Sequence, residues 1–183
     1  VKDTHKALQA VTASLRNRFE KPVVGITGSN GKTIVKEWLG QLLQPRFSVV
    51  KSPKSYNSQV GVPLSILEIQ PYHQVAILEA GISQLGEMKA LEEMIQPDLG
   101  IFTNIGTAHD SGFPDRRSKI QEKLQLFKDS KLLIYCSDQE IVREEIEKNF
   151  PEGRLIAWSD KEGADFTRIV KQEASETRMI FVK

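Results

Sequence analysis

The sequence predicts an α/β fold: a P-loop-type, mostly parallel sheet flanked by helices, with an antiparallel hairpin near the C-terminus. Three observations lead there. Apolar runs such as "VVGIT", "QVAILEAG" and "LGIFTNIG" alternate with stretches of helical period, the pattern of repeated strand–helix–strand units. Those runs are too uniformly apolar to have a wet face, which predicts strands covered on both sides, as parallel strands are. The third is "GITGSNGKTIVKEW", which places glycines directly between an apolar run and a helix.

In chain order, Asp3 can cap a helix in which Leu8, Val11, Leu15 and Phe19 recur at helical spacing, and Pro22 separates it from the strand "VVGIT". After the glycines, Ile34, Val35, Trp38, Leu39, Leu42 and Leu43 trace one helix face that ends before Pro45. Trp38 is read as part of that core stripe. "FSVVKS" is a second strand, followed by the loop "PKSYNSQVGVP" and a short helix through Leu67. "QVAILEAG" is a third strand, "GEMKALEEMI" a helix stopped by Pro97, and "LGIFTNIG" a fourth strand. Then come the helix "DRRSKIQEKLQLFKDS", the strand "KLLIYCS" and the helix "DQEIVREEIEKNF", closed by Pro151. "RLIAWS", "DFTRIVKQEA" and "TRMIFVK" close the chain as strands, the last two pairing antiparallel across Ser175–Glu176.

Composition narrows the function. With 25 basic and 24 acidic residues the formal charge is +1, which gives no surface for nucleic acid or an anionic membrane. The single cysteine, Cys136, excludes an internal disulfide framework and suits a reducing cytoplasm; it is read as a small buried residue. No stretch approaches the ~20 apolar residues of a membrane span. Val1 is not an initiator methionine and Lys183 falls inside a strand-like run, so both ends are read as cuts in a longer chain.

In a parallel sheet, ligands bind where the carboxyl ends of strands meet the following loops. The glycine loop, "EAGISQLG" and "TNIGTAHDSGF" all fall there. A loop whose backbone N–H groups point inward makes an anion cradle, and the following helix N-terminus adds partial positive charge. Gly28, Ser29, Asn30 and Gly31 would form that cradle for the phosphates of a nucleotide, Lys32 would reach the β- and γ-phosphates, and the Thr33 hydroxyl would ligate magnesium. The general pattern G-x-x-x-x-G-K-[ST] is met imperfectly, because Ile26 stands where its first glycine belongs. Glu79 ends an apolar strand, where its carboxylate can hold the same magnesium. The fingerprint G-x-G-x-x-G is missing, which disfavours a nicotinamide or flavin.

The ordered motifs "GITGSNGKT", "SYNSQVGVPLSIL", "EAGISQLGEM", "TNIGTAHDSGF" and "KLQLF" resemble the central ATPase domain of the Mur ligases, which build the peptide of bacterial cell-wall precursors. The resemblance runs from Val1 to Lys183. It divides the chain into a leading helix and linker, residues 1–21, and a central ATP-binding domain, residues 22–183, of a longer ligase whose N-terminal UDP-binding and C-terminal domains are not represented. "DTHKALQ", "NSQVGVPLSIL" and "HDSGF" are most similar to the D-alanyl-D-alanine-adding branch, and "SYNSQVGVPLS" resembles its form fused to an alanine racemase.

This resemblance implies ATP and two magnesium ions as cofactors, and UDP-N-acetylmuramoyl-tripeptide and D-alanyl-D-alanine as substrates. ATP would phosphorylate the tripeptide carboxylate, and the dipeptide amine would displace phosphate from the acyl phosphate. It assigns Lys32, His109 and Lys123 to catalysis, with His109 and a carbamylated Lys123 helping to hold the second metal. It places Asn57 and Gln59 near the γ-phosphate and Asn104 in a nucleotide-contacting segment. Without it, Asn57 and Gln59 read as turn formers, Asn104 as a strand cap, His109 as a loop histidine and Lys123 as a solvated helix lysine. Cys136, in "YCSDQE", departs from the family's "NADD"-like turn, so adenine or ribose contacts there are not carried over. Two alternatives stay open: a folylpolyglutamate synthetase-like ligase, and a nucleotide-dependent switch. No N-K-x-D motif supports a GTPase form of the second.

Overall fold

The computed structural model describes residues 3–108, 110–160, 164–173 and 176–182. Its strands are β1 (Val23–Thr27), β2 (Val49–Lys51), β3 (Val75–Glu79), β4 (Leu99–Phe102), β5 (Leu132–Cys136), β6 (Leu155–Ser159), β7 (Phe166–Glu173) and β8 (Glu176–Val182). They form one eight-stranded sheet in the order β2-β3-β1-β4-β5-β6-β7-β8. All neighbours pair in parallel except β7 and β8, an antiparallel hairpin. Glu176 faces Glu173 in that ladder and already belongs to β8, while Ser175, the other residue of the expected turn, lies outside the described residues.

The helices are α1 (Thr4–Arg16), α2 (Lys32–Leu43), α3 (Gly61–Leu67), α4 (Met88–Ile95), α5 (Arg116–Leu124) and α6 (Glu140–Asn149). The main core joins Val62 and Ile66 of α3, Met88 and Leu91 of α4, Ile120 of α5 and Ile146 of α6 to one face of the sheet. On the other face, Val24, Ile26, Val75 and Ile77 pack against Val35, Leu39 and Leu43 of α2. The helices after β3 and β4 therefore cross on the face opposite the helix after β1. Their loops diverge, and a crevice opens at the carboxyl end of β1.

Helices cover both faces, as the sequence predicts, but the coverage is unequal. Among the described residues, α2 is the only helix packed on the second face, and Ile134, Ile156 and Trp158 there are half-buried. The stripe on α2 also divides: Val35, Leu39 and Leu43 turn inward while Ile34, Trp38 and Leu42 are exposed, Trp38 at 58%. Trp38 is thus no core residue. On α1, Asp3 caps as expected, accepting from Lys6 N at 3.0 Å, but Val11 and Leu15 face outward. Thr12 and Arg16 are the buried positions. Arg16 donates to the carbonyls of Ile95, Gln96 and Phe19, each at 2.8 Å, and so satisfies the open end of α4. The helix after β4 is shorter than its sequence pattern, because it tightens into a 3-10 turn at Gln125–Phe127 that puts Leu126 and Phe127 in the core beneath β4.

Candidate active site

The glycine loop leaves β1 and enters α2 through two left-sided glycines. Gly28 has φ 142°, and a Cβ there would lie 2.0 Å from Thr103 Oγ1; Gly31, with φ 81°, is the N-cap of α2. No L side chain suits either position. The loop is clasped by the segment after β4: Ser29 N donates to Asn104 O at 2.9 Å and Asn30 N to Asn104 Oδ1 at 3.2 Å. Asn104 Nδ2 and Thr103 Oγ1 donate back to Asn30 O, at 3.2 and 2.7 Å. Asn104 therefore shapes the cradle, with both ends of its amide engaged by the protein.

Two ammonium groups converge on one carbonyl at the floor of this loop. Lys32 Nζ lies 2.9 Å and Lys123 Nζ 3.4 Å from Gly28 O. Burial pushes the Lys32 pKa below its usual value, partly opposed by Glu79. Lys123 is 2% exposed, not the solvated lysine that α5 alone suggested. Burial foremost, then the charges of Lys32 and Lys119, bring its pKa down from 10.5 to about 7. Clustered positive charge in a partly dry crevice is an anion site.

Beside it stands a pair of hard oxygens. Thr33 Oγ1, on the first turn of α2, donates to Glu79 Oε2 at 3.1 Å and lies 3.2 Å from Ser55 Oγ. The Glu79 side chain has no exposed surface, and its backbone N–H is held by Ser52 Oγ at 3.1 Å. A hydroxyl and a carboxylate facing one another fit magnesium, which keeps waters and phosphate oxygens as its other ligands. Among the described residues no group of three His, Cys, Asp or Glu side chains converges.

A cavity of about 400 Å³ opens above these groups, with Lys32, Asn57, Gln59, Ser83, Glu87 and Lys123 in its wall. Asn57 is fixed through its backbone, its carbonyl accepting from Gly81 N at 2.7 Å. Gln59 is doubly held: its amide donates to Glu87 O at 2.7 Å and accepts from Gln9 of α1 at 3.0 Å. His109 lies outside the described residues. The Cys136 thiol is half-buried rather than buried, its pKa raised mainly by burial, and it donates to Asp138 at 3.5 Å.

Two buried lysines escaped the sequence reading. Lys119 is 1% exposed and donates to Gly106 O, Ala108 O and Asp110 Oδ1 at 2.5–2.7 Å, buckling the loop after β4 onto α5. Lys36 is fully buried and meets Glu79. Each lies four residues from a site lysine, Lys119 from Lys123 and Lys36 from Lys32, hence on the same helix face. That spacing was the available signal.

An amide-lined loop running from a central parallel strand into a helix, followed by Lys32 and Thr33 and flanked by Glu79, defines a P-loop-type nucleotide-binding domain. More narrowly, the chain belongs to the Mur ligase family: residues 26–183 match the Mur ligase middle domain. The UDP-N-acetylmuramoyl-tripeptide–D-alanyl-D-alanine ligase of Bacillus subtilis is 32% identical over 146 residues, 78% of this chain and 32% of that protein. Its counterpart in Treponema pallidum is 29% identical across 99% of this chain and 40% of its own length. The chain thus spans well under half of these curated relatives. The structure of MurF ligase from Thermotoga maritima in complex with ADP superposes with a TM-score of 0.87 at 29% identity, covering 99% of this chain and 42% of that one. Escherichia coli FolC in complex with DHPP and ADP gives 0.66 at 18% identity, a likeness of fold alone.

Proposed function

We propose that this chain is the ATP-handling middle domain of a ligase that joins D-alanyl-D-alanine to UDP-N-acetylmuramoyl-tripeptide. Residues 1–21 would be its leading helix and linker and 22–183 the ATP-binding unit, with the UDP-binding and C-terminal domains supplied by further chain. The single carrying observation is the convergence of Lys32 and Lys123 on Gly28 O beside the Thr33–Glu79 oxygen pair. A carboxylate that attacks a γ-phosphate must approach a polyanion, so the site needs both an anion cradle and a cation locus.

The Gly28–Thr33 loop would hold the phosphates through its N–H groups while Lys32 swings from its own loop carbonyls to the β- and γ-phosphates. A tripeptide carboxylate oxygen bonds to the γ-phosphorus and ADP leaves. The dipeptide amine then attacks the acyl carbon, phosphate departs with the C–O bond, and the amine loses a proton. Thr33 and Glu79 would hold one magnesium ion, and a carbamylated Lys123 with His109 the second; magnesium neutralises the charge between the reacting anions. Asn57 and Gln59 would line the acyl side of the cavity. Both ATP and the free thiol of Cys136 suit a cytoplasmic setting. In a full ligase containing this chain, phosphate release should require tripeptide and D-alanyl-D-alanine together. Release with neither present would point instead to a nucleotide switch, and turnover of a pteroyl substrate to a folylpolyglutamate synthetase.

The depressed pKa of Lys123 supports the carbamate. Carbon dioxide reacts with a neutral amine, and at neutral pH about half of Lys123 is neutral, against roughly one part in three thousand for a lysine titrating at 10.5. Lowering the pH through about 7 protonates the amine and removes the reactive form. With ¹³C-bicarbonate, a carbamate resonance lost in Lys123→Arg is expected at about pH 8.5 and should fade by about pH 5.5. Equal intensity at both would refute it.

A further inference from the structure

We propose that Lys36 is a positioning residue for the cation site: its buried ammonium restrains one oxygen of Glu79, so that the carboxylate presents the other, beside Thr33, to a divalent ion carried on bound nucleotide. This rests on reading Thr33 and Glu79 as the cation ligands.

The geometry divides the carboxylate. Lys36 Nζ lies 3.0 Å from Glu79 Oε1, while Oε2 accepts from Thr33 Oγ1 at 3.1 Å. Oε1 is buried and charge-paired with the ammonium, though outside hydrogen-bonding alignment, while the ammonium donates to Ser52 O at 2.7 Å and to Lys54 O. Glu37 Oε1 completes its surroundings at 3.2 Å. Ser52 grips both partners, since its carbonyl takes the ammonium and its hydroxyl takes Glu79 N–H. Lys36 thus ties α2, the loop after β2 and the end of β3 into one frame. Those elements carry Thr33, Ser55 and Glu79, the oxygens that face one another.

A fully buried ion pair needs a reason beyond stability, because an apolar side chain of similar volume often serves a core as well or better. Here the reason is orientation. A carboxylate that could rotate about its terminal bond, or offer both oxygens, would present a variable ligand. Pinned through Oε1 it offers Oε2 alone. Outer groups that hold a metal ligand in this way are commonly worth 10–100-fold in metal affinity.

The test uses Mn²⁺ as the spectroscopic probe, titrated by electron paramagnetic resonance into ADP-saturated wild-type chain, Lys36→Met, Glu79→Gln and the double variant. ADP affinity is measured separately in EDTA. Lys36→Met should weaken Mn²⁺ about 10–100-fold and leave metal-free ADP binding unchanged, since Lys32 and the loop amides remain. In the Glu79→Gln background, adding Lys36→Met should change nothing further. A merely structural lysine would lower thermal stability while the folded protein kept wild-type Mn²⁺ affinity, and that outcome overturns the proposal. So does an equal loss in both backgrounds. Should Lys36→Met not fold, Lys36→Gln takes its place with the same two outcomes, weakened Mn²⁺ supporting the proposal and wild-type affinity refuting it. If wild-type chain takes up no Mn²⁺ with ADP, the ligand reading of Thr33 and Glu79 has failed, an outcome distinct from the others.

Discussion

Replacing Glu79 with alanine should lower the folding stability of the chain by up to about 3–5 kcal/mol, because it leaves the buried ammonium of Lys36 with only the half-exposed Glu37 as counter-charge. The effect comes from the partner rather than from lost packing: Lys36 has no exposed surface, and the remaining groups around it are backbone carbonyls and the half-exposed Glu37. Against a typical total of about 5–15 kcal/mol, this is enough to shift a urea midpoint far and to blur any magnesium titration done on the variant. Glu79→Gln keeps the volume and one acceptor oxygen, so it should unfold at higher urea than Glu79→Ala and is the cleaner probe of metal binding. Equal midpoints for wild type and Glu79→Ala would contradict the buried pair.

Lys32→Ala should weaken ATP binding by at least about 100-fold, the loss expected when one member of a largely buried charge pair is truncated. Its stability should hardly change. Among the described residues the Lys32 ammonium bonds to carbonyls of its own loop, Gly28 and Ser29, and its removal relieves repulsion of Lys123. Calorimetric titration with ATP, beside thermal melts of both proteins, separates the two quantities. Undiminished affinity would place the triphosphate somewhere other than the cradle.

The sheet was legible because parallel strands buried on both faces leave unbroken apolar runs, and "VVGIT" and "VAILE" are buried at every position. The glycine loop was legible because few conformations join such a strand to a helix. What the sequence concealed was partnership. On α2, Ile34, Trp38 and Leu42 keep the same spacing as Val35, Leu39 and Leu43, so period alone could not tell which row meets the sheet. The charged residue between them, Lys36, is the most buried side chain of that helix, because its partners come from residues 52, 54 and 79. Motif position likewise placed Asn104 and Gln59 at the site but could not show that Asn30 and Gln9 already occupy their amides. For the lysine of α5 the opposite holds: its match to the family pattern singled it out, and only the structure shows that it is buried, with its pKa lowered by that burial.

The contact between Gln9 and Gln59 joins α1 to the wall of the cavity through a pair of side-chain amides. Arg16, two turns further along, anchors the same helix rigidly to the end of α4. The helix is therefore anchored at its last turn and joined at mid-length to the cavity wall, so a shift of α1 along its own axis would carry Gln59 with it.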